Sequence, residues 1–346
     1  MKYVKYLMFI FLLLAVDNQI YSQQKVGKYF NCYFEYIKEI ALPQDIILGD
    51  ITVIDTYKDK ILIVDKMGKS VYLINESGKL IKKLNTDDCH PGIKWHPYSA
   101  YFNKDGDIYA IYNYPTWGFR FDINGKCIGP VDATFLGTYW YAFKSNGEII
   151  GYNSMNRYNK NTLMLMTKEG KEIKNFGIFP DDYKNMISRT YGGGLVTDKD
   201  DNIYQSNVCS YDIMKYDKNG SYIKTLKCRP YKYIAPERDY SNTNNMQQMI
   251  KESKSLNGHT NVERLYLLDK DILATEYWYQ GMLELTLCDL EGNKLNTKPI
   301  TYEKQKSLFA KSGYLYFTYQ AKADSKGNIP NPTIKVYRFN SNMRGK

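Results

Sequence analysis

Histidine is scarce in this chain, with three among 346 residues. No C-x-x-C pair occurs, so neither a zinc knuckle nor a thioredoxin-type redox site is supported. There is no G-x-S-x-G for a serine nucleophile and no Walker-type glycine loop for a nucleotide phosphate. Gly192-Gly193-Gly194 opens a strand rather than a helix, so it reads as close packing instead of a phosphate cradle. Only one apolar run is long enough to matter, at the extreme N-terminus, which excludes an integral membrane bundle. Lys plus Arg number 47 against 37 Asp plus Glu, a net charge of +10, yet the excess is scattered rather than blocked. Nucleic acid is therefore an unfavoured partner, ranked third.

The N-terminus reads as an address. Lys2 and Lys5 precede the apolar run Leu7 to Val16, and a polar stretch from Asp17 to Gln24 follows, with the small residue Ser22 inside it. That order is the order of a secretory signal peptide over residues 1–22. Ten apolar residues fall short of the roughly twenty that cross a bilayer, so an uncleaved anchor is the lesser alternative. No lipobox cysteine is present, since the first cysteine is Cys32. The expected product is an exported protein, periplasmic or extracellular, with no membrane span after cleavage and monomeric. Six cysteines in an exported chain permit disulfides. Their wide spacing and a chain length that needs no staples favour free buried thiols by a small margin.

What the sequence has in abundance is a repeat. Gly193 to Leu226 reads as four short strands, Leu195–Thr197, Ile203–Asn207, Asp212–Tyr216 and Tyr222–Leu226. D-K-D-D-N and D-K-N-G turns join them, in which Asp and Asn close the turn and Gly accepts positive φ. The same pattern recurs at 51–84, 99–129, 141–176 and 262–295, and the outer-hairpin glycines Gly78, Gly125, Gly170, Gly220 and Gly292 lie 47, 45, 50 and 72 residues apart. A period in the forties with four strands per unit is the mark of a β-propeller blade. The sixth unit, 308–339, supplies only three strands. The missing outer strand matches Tyr33 to Leu42 at the other terminus. The reading is one all-β domain over 23–346. It is a six-bladed propeller of four-stranded antiparallel blades at about 50–84, 99–130, 139–177, 193–227, 262–298 and 307–340. A closing strand at about 33–42 completes the last blade, so no sheet edge stays bare. An insertion at about 229–261 includes a segment, Asn244 to Lys254, that reads as a short helix, either packed on the rim or acting as a lid.

The pattern apolar-x-x-D-x-x-(D/G)-(D/N)-I-Y, then Y-D-x-x-G-x-x-apolar, resembles NHL-type repeats. With six units it is similar to the bacterial exported six-bladed β-propeller family, most of whose members have no assigned activity. The resemblance covers about residues 30 to 340 and carries fold far more than function. No W-D dipeptide occurs and the single G-H, Gly258-His259, does not recur from unit to unit, so the repeated marks of WD40 blades are missing.

In such a ring the loops after each second strand crowd one mouth of the channel. Here they carry Tyr114, Trp117, Asn153, Asn156, Arg157, Asn207, Tyr277, Trp278 and Tyr279. Flat aromatic faces beside amide and guanidinium donors suit a glycan, a peptide or a protein segment. Tyrosine is so common, 34 residues, that composition alone places some there, and Tyr109, Tyr204 and Tyr316 read as packing between blades. Asp87, Asp88 and His90 with His96, beside Cys89, form the one candidate metal set. Lactonase-like and lyase-like propellers of similar architecture hold a metal with ligands from several blades, which this set does not supply. The short Glu-Gly-Pro-like segment that opens many lactonase-like propellers is also missing. No cofactor is required by the sequence, and a divalent metal is the alternative. The functional expectation is a non-catalytic, exported binding or interaction propeller, with a metal-dependent lactonase-like or lyase-like enzyme as the second reading.

Overall fold

A computed structural model describes residues 26–93, 96–112, 118–131, 140–152, 161–178, 193–208, 210–235, 247, 260–279, 281–303, 308–319 and 330–343. The turns organise it. At the outer hairpin of each of the first five blades, a side-chain oxygen accepts the N–H groups two and four residues on. Asp122 Oδ1 takes those of Asn124 and Lys126 at 2.9 Å each, and Asp217 Oδ1 those of Asn219 and Ser221 at 2.8 Å each. Asn75, Thr167 and Asp289 do the same in their blades. The glycine that follows accepts the left-handed conformation, with φ near +79° at both Gly125 and Gly220. Gly78 has a second reason to lack a side chain, because a Cβ there would lie 2.0 Å from the carbonyl oxygen of Ala41 in the neighbouring blade.

Between these turns run twenty-four described strands in six antiparallel sheets of four. Blade 1 holds β2 (Ile51–Tyr57), β3 (Lys60–Asp65), β4 (Ser70–Asn75) and β5 (Leu80–Lys83). Blade 2 holds β6 (Pro97–Phe102), β7 (Ile108–Tyr112), β8 (Gly118–Phe121) and β9 (Cys127–Val131). Blade 3 holds β10 (Trp140–Phe143), β11 (Ile149–Tyr152), β12 (Leu163–Met166) and β13 (Glu172–Phe176). Blade 4 holds β14 (Gly194–Thr197), β15 (Ile203–Ser206), β16 (Asp212–Tyr216) and β17 (Tyr222–Lys227). Blade 5 holds β18 (Asn261–Asp269), β19 (Ile272–Tyr279), β20 (Met282–Asp289) and β21 (Ile300–Glu303). Blade 6 holds β22 (Leu308–Lys311), β23 (Tyr314–Tyr319) and β24 (Thr333–Phe339). Its fourth strand is β1 (Phe34–Ala41), paired with β24 from Phe34 opposite Phe339 to Ala41 opposite Thr333. The expected six-bladed propeller, closed by the N-terminal strand, is the architecture found. One helical turn, α1 (Phe30–Tyr33), precedes β1. The helix expected over Asn244 to Lys254 and the leader expected over residues 1–22 lie outside the described residues, Gln247 excepted.

The core is divided among the blade interfaces. Six apolar clusters fill six seams, such as Val53, Leu62, Phe102 and Phe119 between blades 1 and 2. Tyr109 lies in the seam of blades 2 and 3, and Tyr204 in that of blades 4 and 5. Tyr316 packs at the seam of blades 6 and 1, so these three tyrosines pack between blades as expected.

The cysteines depart from expectation. Cys89 is bonded to Cys127 and Cys228 to Cys288, while Cys32 is free and exposed. The sequence favours free thiols because these partners stand 38 and 60 residues apart along the chain. Docking of adjacent blades brings their Cα atoms to 5.7 and 6.1 Å, within the usual disulfide range. One bridge ties the segment after blade 1 to blade 2, and the other ties blade 4 to blade 5.

Candidate functional site

The inner strands β2, β6, β10, β14, β18 and β22 all run in one direction along the axis, so their first residues share one face and their hairpin turns the other. The turn face is knitted by charges. Asp55 Oδ1 accepts from Lys311 Nζ at 2.7 Å and its Oδ2 from the Phe102 N–H at 2.8 Å, joining blades 6, 1 and 2. Asp201 accepts from Lys104 Nζ at 2.7 Å, from the Ser145 N–H at 2.8 Å and from the Ser145 hydroxyl, joining blades 4, 2 and 3. Burial works to raise the Asp201 pKa, but those hydrogen bonds prevail and hold it below the usual carboxylate value.

The opposite face is aromatic and amide-rich. Trp140 is the first residue of β10, Asn207 follows the last residue of β15, and Trp278 and Tyr279 end β19. Arg264 of β18 reaches across the axis. Its guanidinium lies 5.1 Å from the Trp140 ring, and Nη2 donates to the Thr52 carbonyl of blade 1 at 3.2 Å. Beside it a buried network joins blades 3 and 4. The Tyr152 hydroxyl donates to Asn207 Oδ1 at 3.2 Å, and Gln205 Nε2 donates to Thr162 Oγ1 at 2.7 Å.

Glu276 stands opposite Arg264 in the β18–β19 register. It is 5% exposed and accepts from the Tyr302 hydroxyl at 2.9 Å and the Tyr266 hydroxyl at 3.4 Å. Burial pushes its carboxyl up to about 7, against the pull of the Arg264 charge. The folded chain therefore holds this proton more tightly than the unfolded chain does between pH 4.5 and 7. Stability contributed by the group is full below 4.5 and falls as pH rises through 7. Glu276→Gln is expected to gain on the wild type by up to about 3 kcal/mol between pH 5 and pH 8. Urea unfolding at the two values checks this, and an unchanged difference would show that Glu276 does not titrate there.

Of the loop residues singled out in the sequence, Tyr114, Trp117, Asn153, Asn156 and Arg157 lie outside the described residues. Asn207, Trp278 and Tyr279 reach the expected face, and Lys232 Nζ sits 4.9 Å from the Tyr279 ring centre. Tyr277 points elsewhere: it is buried, and its hydroxyl donates to the Cys228 carbonyl at 2.7 Å. Asp87, Asp88 and His90 follow β5 on the outer side of blades 1 and 2. There Asp88 lies 4.0 Å from Lys82 Nζ, and His90 meets Phe119 edge-on. His96 stands just before β6. Cys89 is in a disulfide and offers no thiolate. Among the described residues no three His, Cys, Asp or Glu side chains gather as a metal site. Arg264, Trp140 and Thr52 are not among the residues singled out in the sequence, and Glu276 stands there only as the first residue of the loop string Glu276 to Gln280. The available signal for Arg264 and Glu276 was charge inside two largely apolar strands, the pair Glu263-Arg264 in VERLYLL and Glu276 in ILATEYW.

No family model matches this sequence, and no curated protein matches it. Solved structures do match in shape. A candidate exported protein of Bacteroides fragilis superposes with a TM-score of 0.67 at 11% identity, over 90% of this chain and 96% of its own. A member of the DUF4221 family from Bacteroides vulgatus gives 0.63 at 11% identity, over 92% and 99%. A candidate gluconolactonase gives 0.50 at 10% identity, over 92% and 98%. The chain is a six-bladed β-propeller. At these identities the likeness is one of fold, and the propeller fold hosts many unrelated chemistries.

Proposed function

We propose that this propeller is an exported binding module that recognises a glycan, peptide or protein segment at the face where its inner strands begin. The observation that carries this is the delivery of Trp140, Trp278, Tyr279 and Arg264 to that one face by blades 3 and 5, above the buried amide of Asn207 from blade 4. Aromatic planes beside amide and guanidinium donors give a ligand both stacking area and directional hydrogen bonds. Two disulfides suit an oxidising compartment, as does the basic-then-apolar order of the first sixteen residues. The likeness to a candidate exported propeller points the same way. The lactonase-like or lyase-like reading draws on nothing beyond the shared fold.

The test is a glycan and peptide array probed with residues 23–346, followed by calorimetry on the strongest ligand. Trp278→Ala is expected to weaken that ligand about tenfold, as loss of an aromatic contact does. A protein that retains nothing on either array, yet turns over lactones or esters, would overturn the binding reading.

A further inference from the structure

A strip of basic and tyrosyl side chains leaves blade 4 and crosses the seam to blade 5. It starts at the buried, disulfide-bonded Cys228 and runs Arg229-Pro230-Tyr231-Lys232-Tyr233-Ile234, exposed at Arg229, Tyr231, Lys232 and Ile234. Its rings and cations are ordered against one another. Lys227 Nζ and the Arg229 guanidinium lie 5.7 and 5.6 Å from the Tyr211 ring centre, and Tyr233 meets that ring edge-on at 4.8 Å. Lys294 Nζ sits 3.5 Å from the Tyr231 ring centre and donates to the Arg229 carbonyl at 3.1 Å. Lys232, over Tyr279, joins the strip to the face where the inner strands begin. These contacts make one continuous outer surface.

The backbone of the strip is occupied. The Tyr231 N–H donates to Glu284 Oε1 at 2.7 Å and the Ile234 N–H to Thr260 Oγ1 at 3.0 Å. The Ile234 carbonyl accepts the Thr260 N–H at 2.9 Å, and the Lys232 carbonyl accepts the Thr260 hydroxyl at 3.4 Å. Taken up in this way, the main chain does not present the ladder on which a peptide adds as a strand. A ligand meets side chains instead, tyrosine rings and cations.

The charges there are of one sign. Asp212 is paired with Lys227 at 2.7 Å, while Arg229, Lys232 and Lys294 form no ion pair among the described residues. Glu284 lies beneath the strip with one oxygen taken by Tyr231, and burial raises its pKa against the pull of Lys294, which lessens its negative charge. A chain that carries acid groups on rings with apolar C–H faces is complementary to both features. Cations spread along an extended segment suit a chain of such units better than a single one.

We infer that the 229–234 strip, with Tyr211 and Lys294, binds an acidic polysaccharide, one with carboxylates on its pyranose rings. The inference rests on the binding reading above, names its ligand class and extends the ligand path from the mouth face across the seam of blades 4 and 5.

Calorimetry on the mature protein at fixed ionic strength tests it with oligogalacturonate, its methyl ester, polyglutamate of equal charge and single-stranded DNA. Oligogalacturonate is expected to bind about tenfold or more tightly than each of the other three. Arg229→Gln with Lys232→Gln, both at exposed side chains, should weaken it by about tenfold at an unchanged melting temperature. Lys126→Gln with Lys171→Gln removes the same charge from exposed sites on blades 2 and 3, and should leave the affinity within about twofold of wild type. The inference falls if acid and ester bind alike, if polyglutamate or DNA binds as tightly as the glycan, or if the remote pair loses as much as the strip pair. If an array ligand binds while oligogalacturonate does not, the strip assignment fails and the broader binding reading stands.

Discussion

Phe30→Ala is expected to cost about 4 kcal/mol, because Phe30 anchors the strand that closes the ring. Its side chain is fully buried, with ring centroids of Phe34, Phe317 and Tyr337 at 5.2, 5.9 and 5.3 Å. Phe34 continues the same cluster against Phe339. The segment is fixed at its flanks as well. The Gly27 N–H donates to the Thr301 carbonyl at 2.7 Å, and the Tyr33 hydroxyl accepts the Thr297 N–H at 3.0 Å, so the N-terminus ties blade 5 to blade 6. Truncating Phe30 leaves a large cavity at that joint, and the surrounding strands belong to sheets already fixed by their ladders, so they cannot collapse to fill it. Tyr36→Ala, on the exposed side of the same strand, should cost less than about 1 kcal/mol. Chemical unfolding of the two variants checks the contrast, and equal losses would mean that the seam is not held by this cluster.

The second large effect concerns the Cys228–Cys288 bridge. Replacing both cysteines with alanine opens a loop spanning 60 residues, for which the chain-entropy relation gives about 4 kcal/mol. The loop contains the segment 229–260, so it is the connection whose unfolded freedom the bridge limits most. Both cysteines are fully buried in the seam of blades 4 and 5, and loss of packing adds to the entropic part. Cys32→Ala, at an exposed free cysteine, should leave stability unchanged. Melting curves of the three proteins, with and without reductant, decide the point. A double variant as stable as the wild type would show that the bridge restrains little.

The propeller could be read from the sequence because its turns are local. An Asp, Asn or Thr that takes the N–H groups two and four residues on, followed by a left-handed glycine, announces the outer hairpin of each of the first five blades within six residues. The closing strand was legible for a related reason, since YFEYIKEIAL carries the same alternation as the outer strands it replaces. The disulfides and the channel site are different in kind. Cys89 meets Cys127, and Arg264 meets Thr52 and Trp140, only because whole blades dock around an axis. No spacing along the chain encodes that meeting. Tyr277 shows the converse error: in a loop-like string of aromatics it looked like a ligand contact, yet strand alternation turns it inward onto the Cys228 carbonyl.

The pairing of β1 with β24 also sets a timetable. Phe34 and Phe339 face each other across the ladder, so the first strand of the ring waits for its last. Until then blades 1 to 5 can form in order, each from neighbouring segments, while β1 stays unpaired with its inward residues Phe34 and Ile40 uncovered. Contacts so distant along the chain close slowly. The interval leaves Phe30 and Phe34 exposed to other chains, which makes prompt arrival of the C-terminal strands a condition for avoiding aggregation.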